Sequence, residues 1–264
     1  MNKIFIFIVA ITFFNSCKNT KSDTQNTVLN NESIEVEKTK DSVYRSTITF
    51  PSKDTLPITA DVYRLNENPI TILLCHQAGF SRGEYKDTAL ALNDLGYSVM
   101  AIDQRSGKIA NDILNETAQA AKAQGLPTAY LNARQDIEAA IDYLYNANSN
   151  TPILLIGSSY SASLALLIGE SNPKVKAVAA FSPGEYFKGM NINEAIKDYS
   201  KPVFVTASKN ETEGLTEMVS QIDSKFLTHY KPLEKGIHGS RALWSSTEGV
   251  DGYWNAFKLF LKVI

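Results

Sequence analysis

Apolar residues recur along this chain with two alternating periods, and the alternation predicts the fold class. Short apolar runs of strand type lie at Ile58–Tyr63, Ile70–Cys75, Tyr97–Ile102, Ile153–Ile156, Val175–Phe181 and Pro202–Ala207, with a weaker one at Phe226–Tyr230. Between them the spacing changes to threes and fours, the period of one helix face. Arg82–Leu95 carries Tyr85, Ala89, Leu92 and Leu95 on such a stripe and closes on Gly96, a residue suited to a helix C-cap. Ala133–Tyr145 carries Ile137, Ala140, Ile141 and Leu144. Helices are also expected over Ala162–Glu170 and Tyr253–Val263. Strands alternating with helices imply an α/β fold, with a mostly parallel central sheet covered by helices on both faces. Val43–Phe50 and Ile58–Tyr63, joined by the turn-like Pro51-Ser52-Lys53-Asp54, fit an antiparallel hairpin at one edge. Residues 106 to 130 form a longer Ala- and Asn-rich connection, partly helical and the one candidate for a lid. No internal repeat or second-domain boundary is visible from 43 to 264, so this stretch reads as one domain.

Residues 1–42 do not share this pattern. Lys3 supplies a short basic region, and Ile4 to Phe14 form an apolar region of eleven residues, too short to span a bilayer comfortably. Residues 1–16 therefore read as a secretory signal. Residues 18 to 42 are rich in Asn, Thr, Ser, Lys and Glu and contain no aromatic residue. Such a segment buries too little apolar surface to order itself, so 17–42 is expected to be a flexible tether. Asn15-Ser16-Cys17, directly after the apolar run, resembles the lipobox of bacterial lipoproteins, with Phe14 where leucine is usual. That resemblance implies lipidation at Cys17, which would become the first mature residue. The protein would then be a membrane-anchored lipoprotein of the cell envelope, exposed outside the cytoplasm. An ordinary secretory signal is the alternative, and either reading places the protein outside the cytoplasm.

Composition narrows the function classes. Of 264 residues, 44% are hydrophobic and 20% charged, ordinary for a globular domain, and the formal net charge of −2 argues against a nucleic-acid partner. Cys17 and Cys75 are the two cysteines, and neither lies in a CxxC or His-rich cluster, which argues against a metal site. Cys75 ends an apolar strand and is expected to be a small buried hydrophobe.

The chemistry concentrates where the strand Ile153–Ile156 meets Gly157-Ser158-Ser159-Tyr160-Ser161. A strand, a sharp turn with small residues on both sides of a serine, and then a helix are the context in which that serine becomes a nucleophile. Gly157 and Ser161 flank Ser159; the second is usually glycine. A hydroxyl is a weak nucleophile at neutral pH and needs a base. Of three histidines, His238 lies in a glycine-flanked loop between the last strand and the closing helix, and is the candidate base. His76 follows the third strand and is expected to shape its loop. His229 sits within a strand-like run, which points to a structural role. The acid should follow a strand after the nucleophile. Glu211, four residues past Ala207, is the candidate, with Glu213 and Glu185 as competitors. The oxyanion hole would use the amide of Tyr160 and one from His76-Gln77-Ala78-Gly79, with Ala78 favoured over Gln77. The order Ser159, acid, His238 differs from the chymotrypsin and subtilisin orders.

Together, His76-Gln77-Ala78-Gly79, Ile102-Asp103-Gln104-Arg105-Ser106-Gly107, the serine turn and His238-Gly239 resemble the α/β-hydrolases, in particular dienelactone-hydrolase-like serine esterases. The resemblance covers residues 43 to 264. Gln77 stands where many relatives have glycine, and Glu211 where aspartate is commoner. The resemblance implies a carboxylic ester hydrolase acting on a small ester or acyl substrate through an acyl-enzyme, with no cofactor required. It also implies a structural role for Asp103. A peptidase or acyltransferase with the same triad, and a non-catalytic binding protein of this fold, remain open on the residues alone. Pocket walls are expected from Phe80–Tyr85, residues 106–130 and Pro183–Met190.

Overall fold

The computed structural model describes residues 43–66 and 68–264. The expected signal, the tether and Cys17 lie outside the described residues. The chain order is β1 (Val43–Pro51), β2 (Pro57–Leu65), β3 (Ile70–Cys75), α1 (Lys86–Asp94), β4 (Ser98–Ile102), the short pair β5 (Ile109–Ala110) and β6 (Ile113–Leu114), then α2 (Glu116–Ala123) and α3 (Arg134–Ala147). It continues with β7 (Ile153–Ser158), α4 (Tyr160–Ser171), β8 (Val175–Phe181), α5 (Ile192–Ala195), β9 (Val203–Thr206), α6 (Thr212–Met218), β10 (Leu227–Tyr230) and α7 (Val250–Leu261).

Eight strands form one sheet in the order β1-β2-β4-β3-β7-β8-β9-β10. β1 pairs with β2, and β2 with β4, antiparallel; all other neighbours in the sheet are parallel. The edge hairpin and the parallel core therefore stand as the sequence predicts.

The two-residue period of the strands divides the core. Ile72 and Leu74 of β3 face Ala89 and Leu92 of α1 and Phe257 and Phe260 of α7. Leu73 and Cys75, the alternate positions, face Ile137 and Ile141 of α3 and Leu164 and Ile168 of α4. Each fully buried side chain of this kind contributes about 1.5–3 kcal/mol relative to exposure. Cys75 is fully buried, as expected.

Some predicted boundaries shift. Arg82–Tyr85 is a 3-10 turn that precedes α1. Leu95 caps α1 with φ −87° and ψ 1° and is 39% exposed, so it drops out of the apolar stripe. The helix after the serine starts at Tyr160, two residues before the expected Ala162. The 106–130 connection is not a free lid. It folds into the β5–β6 pair and α2, and Lys108 N and Ile109 N donate to Phe80 O and Gly79 O at 2.9 and 3.3 Å. α5 and α6 are too short for periodicity to reveal them.

One consequence positions the site. β3 lies between β4 and β7, so the strand order reverses beside it. The chain leaves β3 for one face of the sheet and leaves β7 for the other. A crevice opens at the C-terminal ends of those two strands, where such folds place ligands.

Candidate active site

β7 delivers Ser159 to that crevice in a strained turn, with φ 58° and ψ −124°. Backbone in such a region costs about 1–3 kcal/mol and persists only where the surroundings enforce it. Gly157 is part of the enforcement: a Cβ there would lie 2.3 Å from Ser161 O and 2.6 Å from Ala162 N. Ser161 is small enough for the other side of the turn, and its hydroxyl adds a tie that glycine lacks. Oγ donates to His76 O at 2.6 Å and accepts from Gln104 Nε2 at 2.5 Å, linking the turn to the ends of β3 and β4.

Ser159 Oγ lies 2.8 Å from His238 Nε2, and His238 Nδ1 is hydrogen-bonded to Glu211 Oε1. The partners assign the tautomer: Nδ1 carries the proton toward the carboxylate, leaving Nε2 to accept from the hydroxyl. Glu211 Oε2 accepts from Ser208 N at 3.1 Å, Ser208 Oγ at 2.6 Å and Ser182 Oγ at 2.9 Å. Burial opposes the charge of Glu211, but the hydrogen bonds from His238, Ser208 and Ser182 outweigh it and hold the carboxyl down at about 2. Of the competing acids, Glu213 is exposed at the start of α6. Glu185 is committed elsewhere, accepting from Ile192 N at 2.9 and 3.1 Å.

The sequence leaves two amides open for the β3 loop, and the structure separates them. Gln77 N donates to Glu84 Oε2 at 2.7 Å, so it is already engaged and drops out as an oxyanion donor. Ala78 N donates to no acceptor among the described residues. Tyr160 opens α4, where a helix amide has no carbonyl four residues earlier to receive it.

His76 is fully buried. Nδ1 donates to Gln77 O at 2.8 Å, while Nε2 accepts from Gln104 N and from Asn115 Nδ2, each at 3.0 Å. Burial holds this ring down at about 4, and a proton on Nε2 would face two donors. It shapes the loop, as expected. His229 lies within β10, and burial followed by the charge of Lys231 lowers it to about 4. Asp103 is also structural: with Asp61 and Glu116 it binds Arg82, at 2.6, 3.1 and 2.8 Å.

Two clefts adjoin these groups. One, of about 710 Å³, is lined by Pro183, Glu185, Tyr186, Asn191, Asn210 and Glu211. The other, of about 420 Å³, is lined by Ala78, Ser106, Lys108, Lys122, Thr128 and Tyr130. Tyr186 Oη lies 3.4 Å from Ser159 Oγ. Tyr130 stacks on Tyr160 at 4.5 Å and meets Tyr186 edge-on at 6.5 Å. Tyr85 and Phe187, which fall within the segments expected to wall the pocket, are instead buried in the core.

Several supporting residues escape sequence reasoning. Ser208 could have been found, because Ser208-Lys209-Asn210-Glu211 has the spacing of a capping box, and the structure forms one. Ser182 and Ser240 carry no local signal. Their hydroxyls matter only once distant loops converge.

A protein-family comparison matches residues 67–232 to the hydrolase family described as serine aminopeptidase, S33. The chain belongs to this family. No curated protein matches it by sequence. Solved structures show the same fold in this hydrolase and in proteins of low identity. An esterase of Pyrococcus furiosus is 16% identical, covers 84% of this chain and 91% of its own, and superposes with a TM-score of 0.62. A dienelactone hydrolase from Anabaena variabilis gives 13%, 83%, 97% and 0.63 in the same order. A cold-adapted esterase from an Arctic intertidal metagenomic library gives 18%, 86%, 97% and 0.62. The hydrolase therefore has the α/β-hydrolase fold that the sequence resemblance implied.

Proposed function

We propose that the protein is a carboxylic ester hydrolase working through Ser159, His238 and Glu211. The observation that carries this reading is the continuous line from Ser159 Oγ through the His238 ring to Glu211. His238 Nε2 takes the proton as Ser159 Oγ attacks the ester carbonyl carbon. Glu211 holds the ring and stabilises the imidazolium that forms. The amides of Ala78 and Tyr160 receive the oxyanion of the tetrahedral intermediate. The C–O bond to the alcohol then breaks, and His238 returns its proton to the departing oxygen. Water, activated by the same nitrogen, releases the acid and restores Ser159.

The names of the fold neighbours support an ester over an amide substrate, while the family description, serine aminopeptidase, supports amide hydrolysis. A paired assay separates the two. p-Nitrophenyl esters of graded acyl length should turn over with a burst of p-nitrophenol matching the enzyme concentration, and aminoacyl p-nitroanilides should turn over far more slowly. Faster anilide than ester turnover would transfer the reading to a peptidase. No turnover of either, with the protein folded, would favour a binding role.

We also propose that the protein is a lipoprotein anchored through Cys17, on the strength of the Asn15-Ser16-Cys17 pattern. In a bacterial host fed radiolabelled palmitate, the wild type should incorporate label and Cys17→Ala should not. Equal incorporation would remove the anchor from the account.

A further inference from the structure

Glu84 is fully buried beneath the serine turn, and the mechanism above gives it no task. Four hydrogen bonds end on its carboxylate. Oε2 accepts from Gln77 N at 2.7 Å. Oε1 accepts from Ser158 Oγ at 2.7 Å, Ser240 Oγ at 2.6 Å and Gln77 Nε2 at 3.3 Å. A fifth contact, from Trp244 Nε1 to Glu84 O at 3.0 Å, ties its backbone to the chain beyond His238. The donors come from three separate segments. Gln77 directly precedes Ala78 in the oxyanion loop. Ser158 directly precedes the nucleophile. Ser240 lies two residues beyond His238 and also donates its amide to Ser158 Oγ at 2.8 Å.

Among the described residues no ion pair accounts for this carboxylate. Its hydrogen-bond partners are neutral donors, and Arg241, whose charge acts on the carboxylate without bonding to it, stacks its guanidinium over the Phe80 ring at 5.5 Å. A buried carboxyl group without a salt bridge is costly to keep. The loops it joins are the ones whose relative placement sets the distances among Ala78 N, Ser159 Oγ and His238 Nε2. We propose that Glu84 is a positioning residue that holds the oxyanion loop, the nucleophile turn and the histidine loop in one register. It touches no reacting atom and acts through Gln77, Ser158 and Ser240. The proposal rests on the Ser159–His238 reading of the site.

Glu84→Gln keeps the volume but sets an amide N–H against a ring of donors. Misplacing reacting groups by an ångström costs about 10²-fold. The variant should therefore lose about 10²-fold in kcat with KM within about threefold of wild type, and its rate of fluorophosphonate labelling should fall in parallel. Glu84→Asp, which keeps the acceptor at shorter reach, should recover part of the loss. A purely structural role would lower the melting temperature while the folded fraction kept wild-type kcat, and that result overturns the proposal. If Glu84→Gln does not fold, Ser158→Ala, Ser240→Ala and the double variant decide. Non-additive losses in kcat support a shared hub, and additive losses or none refute it. Ser159→Ala separates the two levels of the argument. If it remains active, the site reading itself fails. If it is dead while Glu84→Gln is fully active, only the role of Glu84 is lost.

Discussion

Two carboxylates adjoin this site under similar donor sets and opposite electrostatics. Glu211 and Glu84 each gather hydrogen bonds from serine hydroxyls and a backbone amide. Glu211 lies about a third exposed beside an imidazole, and its carboxyl falls to about 2. Glu84 is wholly buried with no imidazole, and burial raises its carboxyl above the usual value despite bonds from Ser240, Gln77 and Ser158. The donors alone do not set the direction of the shift. Access to solvent and a titratable partner decide it, and they also mark which group can answer charge during the reaction.

The sharpest way to break this contrast is to neutralise each acid in turn. Glu211→Gln removes the charge opposite the imidazolium and disturbs the tautomer, so kcat should fall by about 10⁴-fold, as in the general serine–histidine–acid scheme. That exceeds the loss expected for Glu84→Gln. Equal losses would mean that the two acids share one role.

Gly157→Ala tests the turn that both acids surround. A methyl group would enter space held by Ser161 O and the Ala162 backbone. Overpacking of this kind costs about 1–3 kcal/mol, visible in urea unfolding. A variant of wild-type stability would show that the turn is looser than described.

Acid unfolding separates the two carboxylates by sign. Glu211 is depressed in the folded protein, so its contribution to stability is complete above the usual carboxylate value and is lost as pH falls toward about 2. Glu84 is raised, so its contribution runs the other way, falling as pH rises past the usual value. Relative to wild type, Glu211→Gln should lose stability as pH climbs from about 2 into the ordinary carboxylate range, and Glu84→Gln should gain it beyond that range. Denaturant midpoints at a series of pH values give both slopes, and slopes of the same sign would refute the contrast.

His76 adds a further slope of known direction. Its folded value of about 4 lies below the ordinary histidine value of 6.5, so stability should drop as pH falls from 6.5 to about 4. The full effect is roughly 3 kcal/mol. His76→Gln should flatten that part of the profile, leaving the share of His229 in the same direction and those of Asp103 and Glu84 in the opposite one. An unchanged profile would mean that the ring is not held neutral.

The sequence carried the parts of the site that depend on local pattern. β3, β7 and β8 are read from short, mostly apolar runs, broken only by Thr71 and Lys176, and Ser159 follows from the glycine and small residues around it. His238 was reachable because only three histidines exist and two adjoin or occupy strands. Glu211 was reachable from its place behind β9. What stayed hidden depends on distant loops meeting. Gln77 loses its amide to a glutamate seven positions on, a pairing with no periodic trace. Ser158, Ser182 and Ser240 look like ordinary small residues until the β7, β8 and histidine loops converge. Leu95 satisfied the helical spacing, but the helix ended one residue before it.

The central claim is that Ser159 is the nucleophile made reactive by His238. The most direct test treats the folded protein with a fluorophosphonate and locates the adduct by peptide mass spectrometry. A single phosphonyl group on Ser159, lost in Ser159→Ala and formed far more slowly in His238→Ala, is the predicted result. An adduct on another serine, or labelling of Ser159 that proceeds at full rate without His238, would contradict it.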